Sequence, residues 1–166
     1  MFSCILRCFV FPLLLTLGAS ACATSSMTSE MRSAIPRNAT TILLTSDSLP
    51  ADLYEETYRK LRLKGCRFSE ANERMMSLTT EPCTVGKSQS TLRIDVLVEP
   101  EGDGCRLVAT ADYELVEGEW RPVAFRDSGT KYKVGFEELA LLMDEVSHTD
   151  LRYEVDEERS RRAFSL

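Results

Sequence analysis

The chain has 166 residues, with 26 acidic and 20 basic side chains, so it is acidic overall. An acidic surface repels nucleic-acid phosphates and gains nothing from anionic lipid headgroups, so neither is expected as a partner through charge alone. A single histidine excludes a His-rich metal site, and the absence of a C-x-x-C spacing argues against a redox or zinc motif.

The first 21 residues are arranged as a secretory signal peptide. Arg7 adds a positive charge near the amino terminus, residues 9–17 are apolar apart from Thr16, and small residues follow at 18–21. The apolar run is too short to cross a bilayer, which takes about 20 residues. We therefore expect residues 1–21 to be removed.

The leader ends in Ser20-Ala21-Cys22, which resembles the lipobox of bacterial lipoproteins, although Ala19 stands where that family usually has Leu. The resemblance implies that Cys22 carries a diacylglycerol thioether. Several acyl chains at about 0.8 kcal/mol per buried CH₂ make a stable membrane anchor. Position 23 is Ala. In lipoproteins of this kind an Asp at this position favours the inner membrane, so the resemblance implies the outer membrane, with the domain facing the periplasm. The alternative is an ordinary signal peptide cut near Ala21, which leaves Cys22 as a plain thiol.

The sequence predicts that both ends of the mature chain lie outside the folded domain. Residues 22–39 are rich in Ser, Thr and Ala without apolar periodicity, which predicts the lipidated cysteine followed by a flexible linker. Residues 156–166 carry mixed charge and predict a disordered tail. The chain between them, 40–155, is long enough for one domain. Without the leader the formal charge is −7, from 19 basic and 26 acidic residues.

The predicted domain begins with a strand at 41–45 and an amphipathic helix. Ser48 is the expected N-cap of this helix, and Gly65 fits the left-handed position that ends helices. The apolar stripe of the helix has the helical spacing of one buried face. Its members are Leu53, Tyr54, Thr57 and Leu61.

The middle of the chain predicts a run of antiparallel strands. A hairpin joins 66–70 to 74–80, and residues 92–98 alternate between apolar and polar side chains as a half-buried strand does. Further strands are expected at 105–113 and 120–125. This order of elements calls for helices on the apolar face of the sheet.

A second helix over 135–147 and a last strand at 151–155 complete the predicted domain. The fold class is therefore α+β, a two-layer sandwich in which two helices cover an antiparallel sheet. We expect the second helix to pack against strand 92–98. Its apolar stripe consists of Phe136, Leu139, Ala140, Met143 and Val146.

A second resemblance covers residues 40–81. The pattern Leu61-x3-Gly65-Cys66-x-Phe68, followed by a hairpin that ends in Thr79-Thr80-Glu81, resembles the βαββ core of small envelope lipoproteins with helix-grip domains. The resemblance implies a fold and a compartment, and it assigns no functional residue.

Residues that carry chemistry are few. His148 follows the second helix, where an imidazole interacts favourably with the helix dipole, so we interpret it as structural. No G-x-S-x-G motif or phosphate-binding glycine loop accompanies it. Trp120 lies near a candidate edge strand, and we interpret it as a packing residue, with partner docking as the alternative. We expect no catalytic residue, metal or cofactor.

Three cysteines remain when the leader is removed and Cys22 is lipidated. If the first hairpin forms, Cys66 lies opposite residues near 78–79 and close to Cys83, whereas Cys105 starts a later strand at the far end. We therefore expect a Cys66–Cys83 disulfide, with Cys105 as a buried thiol. The other two pairings are possible by count alone.

Two classes of function fit these features. The first is a non-catalytic cell-envelope lipoprotein that acts as a binding or assembly module for a protein partner at the membrane surface. The alternative is a small-ligand binder or enzyme with a site between helix and sheet. A deep apolar pocket there favours the alternative, and a filled sandwich with an exposed strand edge favours the first.

Overall fold

The computed structural model describes residues 27–86, 90–116, 118–126 and 131–164. The predicted leader and the lipidation site Cys22 lie outside these ranges. Within them, eight strands form one sheet and four helices pack around it. The elements are α1 Ser29–Ala34, β1 Thr41–Ser46, α2 Pro50–Leu63, β2 Phe68–Asn72, β3 Ser77–Thr80, β4 Cys83–Thr84, β5 Thr91–Glu101, β6 Gly104–Val116, β7 Glu119–Pro122, α3 Lys131–Asp144, β8 Asp150–Glu154 and α4 Glu157–Phe164.

The sheet has the strand order β2-β3-β5-β6-β1-β8, with β4 beside β5 and β7 beside β6. Each pairing is antiparallel. The long β5–β6 hairpin forms its centre, and β2 and β8 are the two edges. The predicted α+β class with an antiparallel sheet is confirmed.

The two sides of the sheet differ in character. We call the side covered by α2 and α3 the inner face, and the opposite side the outer face. The pairs Ile94–Ala111 and Val96–Ala109 lie on the inner face and are buried. The intervening Asp95–Thr110 pair points to the outer face. The predicted period-two alternation of β5 is therefore confirmed.

Connectivity determines which helix covers which strands. β1 lies next to β6, so α2 must cross the sheet over β6 and β5 before the chain reaches β2 at the far edge. α3 carries the chain from β7 back to β8 and packs over β6 and β1. The main helical cover of β5 is thus α2. The prediction that the second helix packs against this strand holds only at one end, where Gly135 of α3 lies against Leu92. All five predicted stripe residues of α3 are nevertheless buried.

The predicted carboxyl-terminal end of α2 is confirmed, and its predicted N-cap is wrong. Gly65 has a φ of +88°, and the amide of Cys66 donates to the carbonyl of Leu61, which is the expected helix termination. At the other end the N-cap is Leu49, without a side-chain hydrogen bond. The Ser48 hydroxyl instead accepts a hydrogen bond from the hydroxyl of Ser46 at the end of β1, and the Ser48 amide donates to that same hydroxyl.

The predicted flexible linker is wrong for the part that the structure describes. Residues 29–34 form α1, and Thr28 caps it by accepting a hydrogen bond from the amide of Met31. Met27 and Ile35 on either side of the helix are buried in the core. Two apolar residues at this spacing are enough to dock one short turn of helix, although they are too few to produce a recognisable periodicity.

The predicted disordered tail is also wrong over α4. Asp156 accepts hydrogen bonds from the amides of Glu158 and Arg159, which is an N-cap arrangement. Ala163 is fully buried, and Arg159 reaches back to the sheet. The charged residues of this segment therefore cap a helix and attach it to the outer face.

Candidate functional site

The outer face of the sheet carries a mixed polar and apolar surface. Leu43, Val108 and Leu97 lie side by side across three neighbouring strands. The next row contains Thr110 and Asp95, and Asp95 accepts a hydrogen bond of 2.9 Å from Thr79. The exposed fraction of Leu97 is 37%. The outer face is therefore partly accessible to solvent, whereas the inner face is covered by helices.

α4 forms a wall over one side of the outer face. Its anchor is Arg159, whose Nη2 donates to Asp112 at 2.8 Å and to the carbonyl of Ala111 at 3.0 Å. Asp112 is buried and forms a second ion pair, with Arg93, at 3.1 Å. Hydrogen bonds between charged groups of this kind are stronger than neutral ones. The network therefore attaches α4 to the two central strands.

A groove of about 590 Å³ lies between α4 and the sheet. Its floor is formed by Thr41, Leu43, Val108 and Thr110 of the outer face. Its rim is charged, with four acidic and two basic side chains, and is therefore acidic on balance. The rim residues are Glu154, Asp156, Glu157, Glu158, Arg106 and Arg161.

Arg106 is a basic side chain of the groove rim, and two carboxylates hold it in place. It donates to Glu99 at 2.9 Å and lies 3.5 Å from Glu101, and these carboxylates raise the pKa of the guanidinium above its ordinary value. Its Nε is buried and has no hydrogen-bond partner among the described residues. A buried donor of this kind is stabilised by any acceptor that reaches it.

The predicted candidate residues lie apart from the groove floor. Nδ1 of His148 is 2.7 Å from the carbonyl oxygen of Val146 just after α3, and Nε2 is 3.9 Å from Asp144. Trp120 is half-buried on β7, with the Arg93 guanidinium 5.1 Å from its ring centroid. The histidine contacts are local in the sequence, and the tryptophan contact joins β7 to β5.

The predicted disulfide is present. Cys66 and Cys83 are bonded, with their Cα atoms 5.2 Å apart, and Cys105 is a free, buried thiol. Burial raises the pKa of the Cys105 thiol, and its Sγ lies 3.2 Å from the carbonyl oxygen of Ser48. The thiol is therefore protected from reaction.

The hairpin behind the disulfide is shifted from the predicted one. Its turn covers 73–76 instead of 71–73, because Asn72 accepts the amide of Met75 and Met76 takes a φ of +50°. Phe68 consequently faces Thr80, so Cys66 comes closer to Cys83 than expected. The pairing was right although the register was not.

The two edges of the sheet differ in regularity. β2 is interrupted by a bulge between Phe68 and Glu70, and the Phe68 ring stacks on Tyr58 of α2 at 4.5 Å between centroids. β8 pairs with β1 over five consecutive residues without a register shift. Bulges protect edges from further pairing. β8 is therefore the edge that is better suited to accept another strand.

Neither the arrangement of potential metal ligands nor comparison with known proteins assigns a function to the chain. In the described ranges, no group of three or more His, Cys, Asp or Glu side chains could hold a metal ion. Of the helices described, none is long and apolar enough to cross a membrane. No protein-family model matches the chain, and no curated protein matches it.

Proposed function

We propose that this chain is a non-catalytic lipoprotein of the bacterial cell envelope that binds a protein partner through the outer face of its sheet. The anchor at Cys22 and the outer-membrane location rest on the leader and the Ser20-Ala21-Cys22 motif. The binding role rests on one structural observation, the open groove between α4 and the half-buried outer face of the sheet.

The inner layer supports the choice of the outer face. The largest side chains between the helices and the sheet are fully buried, and these include Leu53, Ile94, Leu107 and Phe136. They occupy the space in which a helix-grip fold would hold a small ligand. We therefore place the binding surface on the opposite side, where the floor is accessible and the rim is polar.

The position of α1 gives the proposed anchor a direction. Arg32 of α1 pairs with Glu137 of α3 at 3.0 Å, so the amino-terminal end of the described chain lies on the helical side of the sheet. Five residue steps separate Cys22 from Met27. Even fully extended, they span no more than about 18 Å. A lipidated Cys22 would thus hold the helical side towards the membrane and turn the groove away from it.

Site-specific photocrosslinking in intact cells tests the proposed surface. A photoreactive residue at Leu97, on the outer face, should capture a protein partner. The same residue at Leu63 is the matched control, because Leu63 is an exposed leucine on α2. We expect a discrete adduct from position 97 and none from position 63. Equal adducts from both positions, or none from position 97, would contradict the proposed surface.

A further inference from the structure

The outward-facing side chains of β8 alternate in charge. Asp150, Arg152 and Glu154 point to the outer face, and Leu151 and Tyr153 lie between them on the inner face. Arg152 pairs with Asp150 in its own chain. Glu154 is in no ion pair with a described residue, although its charge contributes to the raised pKa of Arg106 on β6. Charges of any sign protect an edge from aggregation, but an alternating pattern is also complementary to a shifted copy of itself.

From this pattern we infer that two copies of the chain pair edge to edge through antiparallel β8 strands, on a two-fold axis at Tyr153. In this register each Arg152 lies opposite Glu154 of the second copy, so both Glu154 carboxylates gain an ion-pair partner. Asp150 comes opposite Asp156, but Asp156 lies beyond the end of β8 and its carboxylate caps α4. A register centred on Arg152 would place the two arginines together and Asp150 opposite Glu154. Like charges directly opposite each other are destabilising, which excludes that register.

The inner face favours the same pairing. Leu151 and Tyr153 are only partly buried at the edge of the core, and the Tyr153 ring packs at 6.1 Å on Phe136. A second copy would bring two Tyr153 rings together beneath the two α3 helices. Burial of such aromatic area is favourable, and aromatic cross-strand pairs are among the more stabilising ones.

The symmetry of this pair agrees with a common membrane. A two-fold axis perpendicular to the sheet keeps both helical layers on one side, and α1 lies on that side in each copy. Both amino-terminal ends therefore leave the dimer in the same direction. The two grooves also come next to each other, because Glu154 belongs to the rim of one and to the joined edge. The pairing itself does not depend on lipidation.

Charge exchange in the full-length chain tests this pairing. Two copies with different carboxyl-terminal tags are expressed together and purified through one tag from a detergent extract of whole cells, which contains the protein whether or not it is anchored to a membrane. We expect wild-type copies to purify together. Arg152→Glu in both copies, or Glu154→Arg in both, should reduce the amount of the second copy by roughly tenfold or more, because each change sets like charges opposite each other.

Mixing the two variants provides the decisive result. An Arg152→Glu copy expressed with a Glu154→Arg copy restores opposite charges at both cross-strand positions, so joint purification should return to the wild-type level. Recovery also shows that both variants are folded. Failure of the wild-type copies to purify together, or failure of the mixture to recover, would overturn the pairing. Recovery with Asp150→Arg instead of Glu154→Arg would overturn the Tyr153 register.

Discussion

Single side chains of β5 determine which side of the sheet is buried. Replacing the fully buried Ile94 with Asp leaves an unpaired carboxylate in the core, so we expect a loss of about 4 kcal/mol or more in the free energy of unfolding. Asp95→Asn should lose no more than about 1 kcal/mol, because Asn still accepts the hydrogen bond from Thr79. Urea denaturation of the protein produced without residues 1–22 measures both. Similar losses from the two changes would contradict the register of β5.

The disulfide is a second feature that acts at the scale of single residues. It closes a loop between positions 17 apart, so the chain-entropy model predicts that the double change Cys66→Ala and Cys83→Ala lowers the unfolding free energy by about 3 kcal/mol. Cys105→Ala is the control, because it leaves the bond intact and removes only a buried thiol. Peptide mapping without reductant should identify the 66–83 linkage. A linkage through Cys105 would show that this pairing is wrong.

At the scale of elements, one arginine joins α4 to β6 by hydrogen bonds. Arg159→Ala removes both hydrogen bonds to β6, so α4 should separate from the sheet while the rest of the domain stays folded. Hydrogen bonds to charged groups contribute about 1.5–3 kcal/mol, and we therefore expect amide exchange over 157–164 to accelerate by roughly tenfold or more. Arg161→Ala is the control, since among the described residues that side chain hydrogen-bonds the carbonyl of Glu157 within α4. Unchanged exchange in the Arg159 variant would contradict the proposed wall of the groove.

The two long central strands, β5 and β6, were predictable from the sequence because each contains its own period-two pattern, whereas the two-residue β4 is too short to show one. α4 was missed for the opposite reason, since its only buried residue is Ala163 and a single small side chain makes no apolar stripe. Its capping signal was nevertheless present: Asp156 is followed by Glu157 and Glu158 in the first turn and by two arginines in the last. Without α4 the groove has no second wall, so the candidate site could not be predicted either.

Over the whole molecule, the sequence predicted the layers better than the contacts between them. Helical and strand periods show which residues are buried, but they do not say which helix lies over which strand. That assignment follows from the strand order, in which β1 inserts beside β6 and sends α2 across β5. Long-range order of this kind leaves no local signal in a single sequence.

The anchor is the central claim for the whole molecule, because the compartment and the orientation of the groove both depend on it. Labelling cells with a radioactive fatty acid tests the anchor most directly. The wild-type protein should incorporate the label and remain with the membranes, and Cys22→Ser should abolish the label and release the protein. Undiminished label in the Cys22→Ser protein, or an unlabelled wild-type protein, would contradict the account.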